Sequence, residues 1–523
     1  MTRGIKFGLG IGLALALSQT ALAGGRDKDD DKDREKLDMY EMRLAPAPSF
    51  AFDDAMLGAT PGGAQDINFA RAEIEAGRVP HPNTFTPEGL FSQHDLPLPA
   101  GRVCKQLLCL SAAAVPVELT AQPEARTLAQ LGFDTNIKAS TWRRDPLNLV
   151  AVVDKSGSMS GPPLETVKAS LHAVVRHLNP EDQLTVVLYG ERVHIQVPTT
   201  PVSQKAALDA AIDSIVSEGS TYMEAGLGLG FDVARQTAAR FHGRTRVMLF
   251  TDERPNVGDT SAKGFMGMAR AASRDGIGLT TVGVGEQFGA ELATAISAVR
   301  GGNLFFFPTI SDMTDKFDRD LDTMVTELAH DLKLVVRPLN GNTLVGLYGV
   351  PGEAVKRLPD GGLEMDVETI FASHDKGGIF FAFAPVSSGA LPPVGSNGGP
   401  VGEASVRYAD LSGAQFADTL TFDQWTGPTL PLGLARGRLL VDEVTSLKAA
   451  TAAHLEKNDQ EGAYRLVHTL RQRFEQADAG GTTLALGDEV ALIGRLDETL
   501  AKLSGHKGET LQMVRNPVSG LPE

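Results

Sequence analysis

The chain has 523 residues, 42% of them hydrophobic, 22% charged and 6% aromatic, the balance of a folded protein. That length fits about three or four units at roughly 100–200 residues per domain. Its 49 basic and 65 acidic residues give a formal charge of −16, which argues against a broad basic face for nucleic acid.

Arg3 and Lys6 precede an apolar run from Phe7 to Leu17, and Ala21-Leu22-Ala23 supplies the small residues of a signal-peptidase site. Residues 1–23 therefore read as a secretory signal peptide, and the expected destination is periplasmic or secreted. The run is too short for a membrane anchor, which needs roughly 20 apolar residues. No later stretch is long and apolar enough to span, so no integral membrane segment is expected after cleavage. Two cysteines exclude a disulfide framework or a four-cysteine zinc site. In an oxidising compartment Cys104 and Cys109 either pair with each other or stay as two buried thiols, and the sequence leaves both open.

Residues 24–63 begin with an Asp/Lys run (26–36) that nothing can bury, and read as a charged linker. The run lacks a glycine at the sixth position and a glutamate at the twelfth, which an EF-hand loop requires. Residues 64–100 carry a short helical pattern (Ile67, Phe69, Ala70, Ile74) and then prolines, a small N-terminal module. Residues 101–146 contain short apolar runs that suggest strands.

From 147 the texture changes. Leu147 to Val153 is an apolar run broken only by Asn148, expected of a strand buried on both faces. Leu164, Val167, Leu171, Val174, Val175 and Leu178 share one helical stripe. Further strands are expected at 184–189, 246–251, 279–284 and 304–307, with helices between them and a last helix near 311–329. This alternation over 147–330 predicts an α/β unit with a doubly wound, mostly parallel sheet, whose sites lie at the carboxyl ends of the strands. Residues 331–425 turn to short strands with glycine and proline turns and read as a β-sandwich. The α/β unit is expected to be flanked by that sandwich, or inserted in it if the strands of 101–146 join. Two long amphipathic stretches and a third shorter one over 431–505 suggest a helical hairpin or bundle, and 506–523 is a tail.

The chemically informative segment is Asp154-Lys155-Ser156-Gly157-Ser158-Met159, between the buried strand and the helix opened by Pro162 and Pro163. Two other loops occupy matching places in the alternation: Glu218-Gly219-Ser220-Thr221, and Thr251-Asp252 at a later strand end. Adjacent parallel strands would bring all three to one rim. Asp154, Ser156, Ser158, Thr221 and Asp252 then form an all-oxygen set of two carboxylates and three hydroxyls. Hard oxygen ligands select Mg²⁺, Mn²⁺ or Ca²⁺ over zinc or copper. Hydroxyls donate little charge, so such an ion stays electrophilic and can accept an Asp or Glu carboxylate from a partner protein.

Asp-x-Ser-x-Ser after a first buried strand, followed by a distal threonine and a distal aspartate, resembles the metal-ion-dependent adhesion site of von Willebrand factor type A domains. The resemblance implies that Ser156, Ser158 and Thr221 contact the metal, and that Asp154 and Asp252 bind it directly or through water. It implies binding rather than catalysis. Glu253, where a small glycine is common, departs from the pattern and adds negative charge at the rim. The whole layout resembles exported bacterial proteins of this superfamily, and Ala329-His330-Asp331-Leu332-Lys333-Leu334 gives a more distant similarity to inter-α-trypsin inhibitor heavy chains.

Other chemistries fare worse. Asp154-Lys155-Ser156-Gly157-Ser158 also resembles the phosphorylated loop of P-type ATPases and their hydrolase relatives, where the aspartate is a nucleophile. The membrane helices and the late Gly-Asp-Gly loop of those pumps are absent from the sequence. A plain structural turn with no metal is the other alternative. Gly283-Val284-Gly285 lacks the third glycine of a dinucleotide loop, Phe288 standing in its place. There is no His-Glu-x-x-His zinc motif and no Gly-x-Ser-x-Gly elbow, and Phe305 to Phe307 read as core strand.

Overall fold

The computed structural model describes residues 56–61, 67–99, 104–220, 222–252, 264–284, 295, 299–307, 309–350, 355–386, 399–479 and 484–506. The expected signal peptide lies outside them. The chain opens with β1 (Met56–Pro61), α1 (Asn68–Glu75), α2 (Pro87–Phe91), β2 (Leu108–Pro116) and β3 (Thr127–Lys138). An α/β unit follows: β4 (Leu147–Asp154), α3 (Pro162–His177), β5 (Gln183–Tyr189), β6 (His194–Pro201), α4 (Lys205–Asp213), α5 (Met223–Ala238), β7 (Arg244–Thr251), α6 (Phe265–Arg274), β8 (Ile277–Val284), β9 (Gly302–Phe307) and α7 (Ile310–Met324). Then come β10 (Glu327–Pro338), β11 (Asn342–Tyr348), β12 (Val355–Arg357), β13 (Leu363–Ser373), β14 (Ile379–Pro385), β15 (Gly402–Asp410) and β16 (Gln415–Thr421). Three helices close the described chain: α8 (Leu432–Leu455), α9 (Gln460–Ala479) and α10 (Gly487–Ser504).

The α/β sheet has the order β6-β5-β4-β7-β8-β9, with only the edge strand β6 antiparallel. All of β4 is buried because helices cover both faces. Successive side chains point to opposite sides of a strand. Thus Leu149, Ala151 and Val153 pack with Val167, Leu171 and Val174 of α3 and Phe317 of α7. Val150 and Val152 meet Leu227 and Phe231 of α5 and Phe265 of α6 on the other face. Each such large apolar side chain contributes about 1.5–3 kcal/mol on burial. Pro162 and Pro163 start α3, where the missing N–H groups would have no helical partner anyway.

The β-rich part takes strands from both sides of this unit, so the α/β unit is an insertion. Ten antiparallel strands form one sheet: the path β11-β14-β3-β1-β13-β10-β15-β16, with β2 on β3 and β12 on β13. The sandwich expected from 331–425 is thus one continuous sheet that bends over its own core. Edges meet where Ala114 bridges Gln424, with the Ala114 N–H donating to the Asp423 carbonyl (2.9 Å) and Trp425 N–H to the Ala114 carbonyl (2.8 Å). Leu110, Phe133, Leu334, Phe381, Phe383 and Tyr408 fill the interior. Cys104 and Cys109 form a disulfide with their Cα atoms 5.7 Å apart.

Two expectations need correction. Met56–Pro61 falls in the stretch read as linker, yet it is a strand between β3 and β13, with Leu57 and Ala59 buried. Its pairing partners lie far along the chain, so local composition gave no signal. Residues 64–100 are not a separate module either. Ile67, Ile74, Phe85, Leu90 and Phe91 share one core with Leu440, Val444 and Leu447 of α8. Among the described residues no helix is long and apolar enough to cross a membrane.

Both chain crossings into the α/β unit lie at the amino ends of its strands and are fixed by buried arginines. Arg144 donates to both carboxylate oxygens of Asp182, at 2.9 and 2.5 Å, and to Asp322 at 2.5 Å. Asp182 also accepts the Leu147 and Asn179 N–H groups at 2.7 and 2.6 Å. Arg246 of β7 is fully buried, donates to Thr280 and to the Gly301 carbonyl at 3.0 Å each, pairs with Glu327, and lies 5.1 Å from the Phe371 ring centre. Burial raises the Glu327 carboxyl, but His330 Nε2 at 2.6 Å and the Arg246 charge outweigh it and hold the group below its ordinary value.

Arg144→Met is expected to lose about 3–5 kcal/mol of stability in denaturant unfolding, because it leaves Asp182 buried and uncompensated. Arg144→Met combined with Asp182→Leu is expected to recover part of that loss. A single variant as stable as wild type would mean the pair does not hold the crossing.

Candidate metal centre

The parallel register sets the site. Val153 of β4 lies opposite Phe250 of β7, so Asp154 follows at the same level as Thr251, and Asp252 comes next. Asp154 is fully buried. One of its oxygens accepts the Ser156 N–H at 2.8 Å and the other accepts the Thr251 hydroxyl at 3.1 Å. The first bond curls the chain into the short turn Gly157–Met159. That turn places the Ser156 and Ser158 hydroxyls 3.0 Å apart, and Ser158 donates to Asp252 at 3.2 Å. Asp154, Ser156, Ser158 and Asp252 therefore converge, as expected. Thr221 lies outside the described residues, as does Glu253.

The loop leading to Thr221 is nevertheless joined to this turn. Gly157 N–H donates to the Gly219 carbonyl at 3.0 Å, and Glu218 N–H to the Lys155 carbonyl at 2.7 Å. Lys155 is buried and its ammonium meets the Glu218 carboxylate at 2.5 Å. Hydrogen bonding and charge from Lys155 hold the Glu218 carboxyl below its ordinary range. The lysine is thus directed sideways to Glu218, while the aspartates and serines face one another. Gly219 makes the approach possible: its φ is +77°, and a Cβ there would stand 2.3 Å from Cβ of Glu191.

The donor set suits a hard divalent cation. The polar side-chain atoms of Asp154, Ser156, Ser158 and Asp252 are all oxygen, and two of the four side chains are carboxylates. Among the described residues no basic side chain is paired with buried Asp154, whose contacts are a backbone N–H and a hydroxyl. A buried carboxylate supported only by neutral donors favours a positive charge close by. Thr251 was missed from sequence. Matching the two strand ends residue by residue would have found it, since it directly precedes Asp252.

Some large apolar side chains are exposed on the side of the sheet where the turn lies. Val216 and Tyr222, on the loop that carries Thr221, are 64% and 57% exposed. Ile195, near the carboxyl end of β5, and Ile310, just past β9, are also exposed on the same side. A cavity of about 310 Å³ is found elsewhere, at the amino ends of the strands, lined by Trp142, Arg143 and Leu328 among others. The oxygen cluster lies at the other end of the sheet, at the carboxyl ends of β4 and β7.

Residues 148–319 match the family model of the von Willebrand factor type A domain, and the chain carries such a domain. Over 227 residues it is 32% identical to the uncharacterized protein YfbK of Escherichia coli (strain K12), covering 42% of this chain and 39% of that protein. It is 26% identical over 163 residues to inter-alpha-trypsin inhibitor heavy chain H1 of Mesocricetus auratus, covering 30% of this chain and 18% of that protein. The chain thus spans well under half the length of these relatives. A solved von Willebrand factor type A protein from Catenulispora acidiphila aligns with a TM-score of 0.43 at 14% identity, over 71% of this chain and 89% of that one.

Gly219→Ala is expected to cost about 1–3 kcal/mol, the usual price of forcing a side chain into a left-handed, crowded position. Thermal unfolding of the purified variant measures it. An unchanged midpoint would show that the 216–220 loop is not fixed against Glu191.

Proposed function

We propose that this chain is an exported protein that binds another protein through a divalent cation at the rim of its α/β unit. The observation that carries this reading is the chain of contacts at one turn: Asp154 accepts the Ser156 N–H at 2.8 Å, the Ser156 and Ser158 hydroxyls lie 3.0 Å apart, and Ser158 reaches Asp252, 94 residues further on, at 3.2 Å. These four, with Thr221 from the neighbouring loop, would hold Mg²⁺, or Mn²⁺ or Ca²⁺. When bound, the ion supplies an electrophilic centre for an Asp or Glu carboxylate of the partner. Exposed Val216 and Tyr222 beside it offer apolar contact of the kind that gives such a docking its specificity. The Cys104–Cys109 disulfide supports an oxidising destination. The match of 148–319 to a von Willebrand factor type A domain favours binding over the phosphoaspartyl alternative.

Calorimetric titration with Mg²⁺ or Mn²⁺ is expected to give a saturable heat with wild type and none with Asp154→Ala, provided circular dichroism shows the variant folded. A heat of equal size in the folded variant would leave the loop as a plain turn. Pull-down from an envelope extract tests the second half. Retention is expected with Mg²⁺, is expected to fall with EDTA, and is expected to weaken in Tyr222→Ser. Retention indifferent to EDTA would separate partner binding from the metal.

A further inference from the structure

Residues 67–95 dock on the C-terminal helices through a charged cluster whose two glutamates are closed off from water. Glu489 of α10 is 1% exposed. Its Oε1 accepts from Arg71 at 2.5 Å and from His94 Nε2 at 2.9 Å. Arg71 also donates to Gln93 at 2.9 Å. Oε2 of Glu489 has no hydrogen-bond partner, and Glu443 of α8, fully buried, has none at either carboxyl oxygen. The two helices share one core around them, through Leu440, Val444, Leu492 and Ile493, and Glu489 acts on the Glu443 carboxyl by charge and side-chain hydrogen bonding. Three buried acceptor oxygens of this pair thus have no donor. Arg71 Nε completes the set as a buried donor without an acceptor.

We infer that Glu443 and Glu489 share one proton, Glu443 donating to Oε2 of Glu489, and that this proton is a pH-operated clasp seating residues 67–95 on the helical bundle. A single proton provides the donor that both residues lack. A divalent cation fits less well, because it takes six or more oxygen ligands. The cluster offers three free oxygens and already places a guanidinium on Glu489.

Every charged neighbour bears on the pair. Burial pushes the Glu443 carboxyl well up, the facing Glu489 pushes it further, Arg71 opposes, and Asp442 on the same helix adds to the rise. Burial also raises Glu489, but His94 and Arg71 outweigh it and hold that group below its ordinary value. Asp442 is itself engaged by Thr120 and by Arg473, at 2.6 and 3.3 Å. Two carboxyl groups in contact cannot both ionise without cost, so one stays protonated. The sign follows. Because the folded value of Glu443 is raised, its contribution is whole below the ordinary value of 4.5 and is lost as pH climbs through the folded value. Ionisation then sets two negative charges against one arginine, and the 67–95 segment loosens.

The test is amide hydrogen exchange of residues 67–95 in the full chain, corrected for intrinsic rates, from about pH 5 to about pH 8. In wild type the opening constant is expected to rise up to tenfold per pH unit, the limit for release of one proton. In Glu443→Gln the slope is expected to be much reduced, because the amide donates to Glu489 at every pH. The same pH slope in Glu443→Gln overturns the clasp. Protection that saturates with Mg²⁺ or Mn²⁺ and reverses with EDTA, in a folded Asp154→Ala background, would overturn it in favour of a cation site. If Glu443→Gln does not fold, infrared spectroscopy of wild type decides. A protonated-carboxyl carbonyl band at mildly acid pH that fades as pH rises supports the clasp, and a wild type without one overturns it.

Discussion

A carboxylate buried at the end of the central strand is the constraint around which the α/β unit is organised. Asp154 has no access to water, and its contacts are the Ser156 N–H and the Thr251 hydroxyl. Ionised groups are tolerated in such places only when something fixed supports them. The support here comes from three stretches of chain: the turn that follows Asp154, the end of β7, and the 216–220 loop hydrogen-bonded to that turn. Parallel register between β4 and β7 makes the first two coincide. Lys155, which could have neutralised the aspartate, pairs with Glu218 instead. The negative character of the turn therefore belongs to the fold, and the proposed cation would answer it.

Charge is handled differently at the opposite end of the same sheet. There Arg144 and Arg246 are buried and matched, one by Asp182 and Asp322, the other by Glu327. A hydrogen-bonded relay runs from Arg300 to His330 to Glu327 and on to Arg246. His330 receives at Nδ1 from the guanidinium and donates from Nε2, so its tautomer is set by its partners. These pairs need exact geometry to offset desolvation, so they specify how the inserted unit is seated more than they add stability.

The α/β unit was legible because its strands are buried on both faces. Leu147 to Val153 could be nothing else, and five of its six strands announced themselves as apolar runs. Edge strand β6 did not, since Pro198, Pro201 and its exposed positions hide the pattern. That Asp154, Ser156 and Ser158 lie beside Asp252 followed from the alternation, which puts both segments at strand ends. The Lys155–Glu218 pair and the Thr251 hydroxyl needed the register. The β-rich part was legible as strands but not as a single sheet, because β1 and β3 pair with β13 and β14 across more than two hundred residues of chain. The Glu443–Glu489 contact was invisible for the same reason, two acidic residues on helices that read as ordinary amphipathic elements.

The insertion carries a mechanical corollary. Entry at 139–146 and exit at 325–326 both lie at the end of the α/β sheet away from the oxygen turn. Tension applied to a partner at the rim would run lengthwise down β4 and β7 and load the arginine joints in shear. Parallel strands pulled along their axes share that load over many backbone hydrogen bonds at once, whereas an unzipping pull would break them singly. Were a partner docked at the rim as proposed, an insertion held this way would resist being stretched through that face.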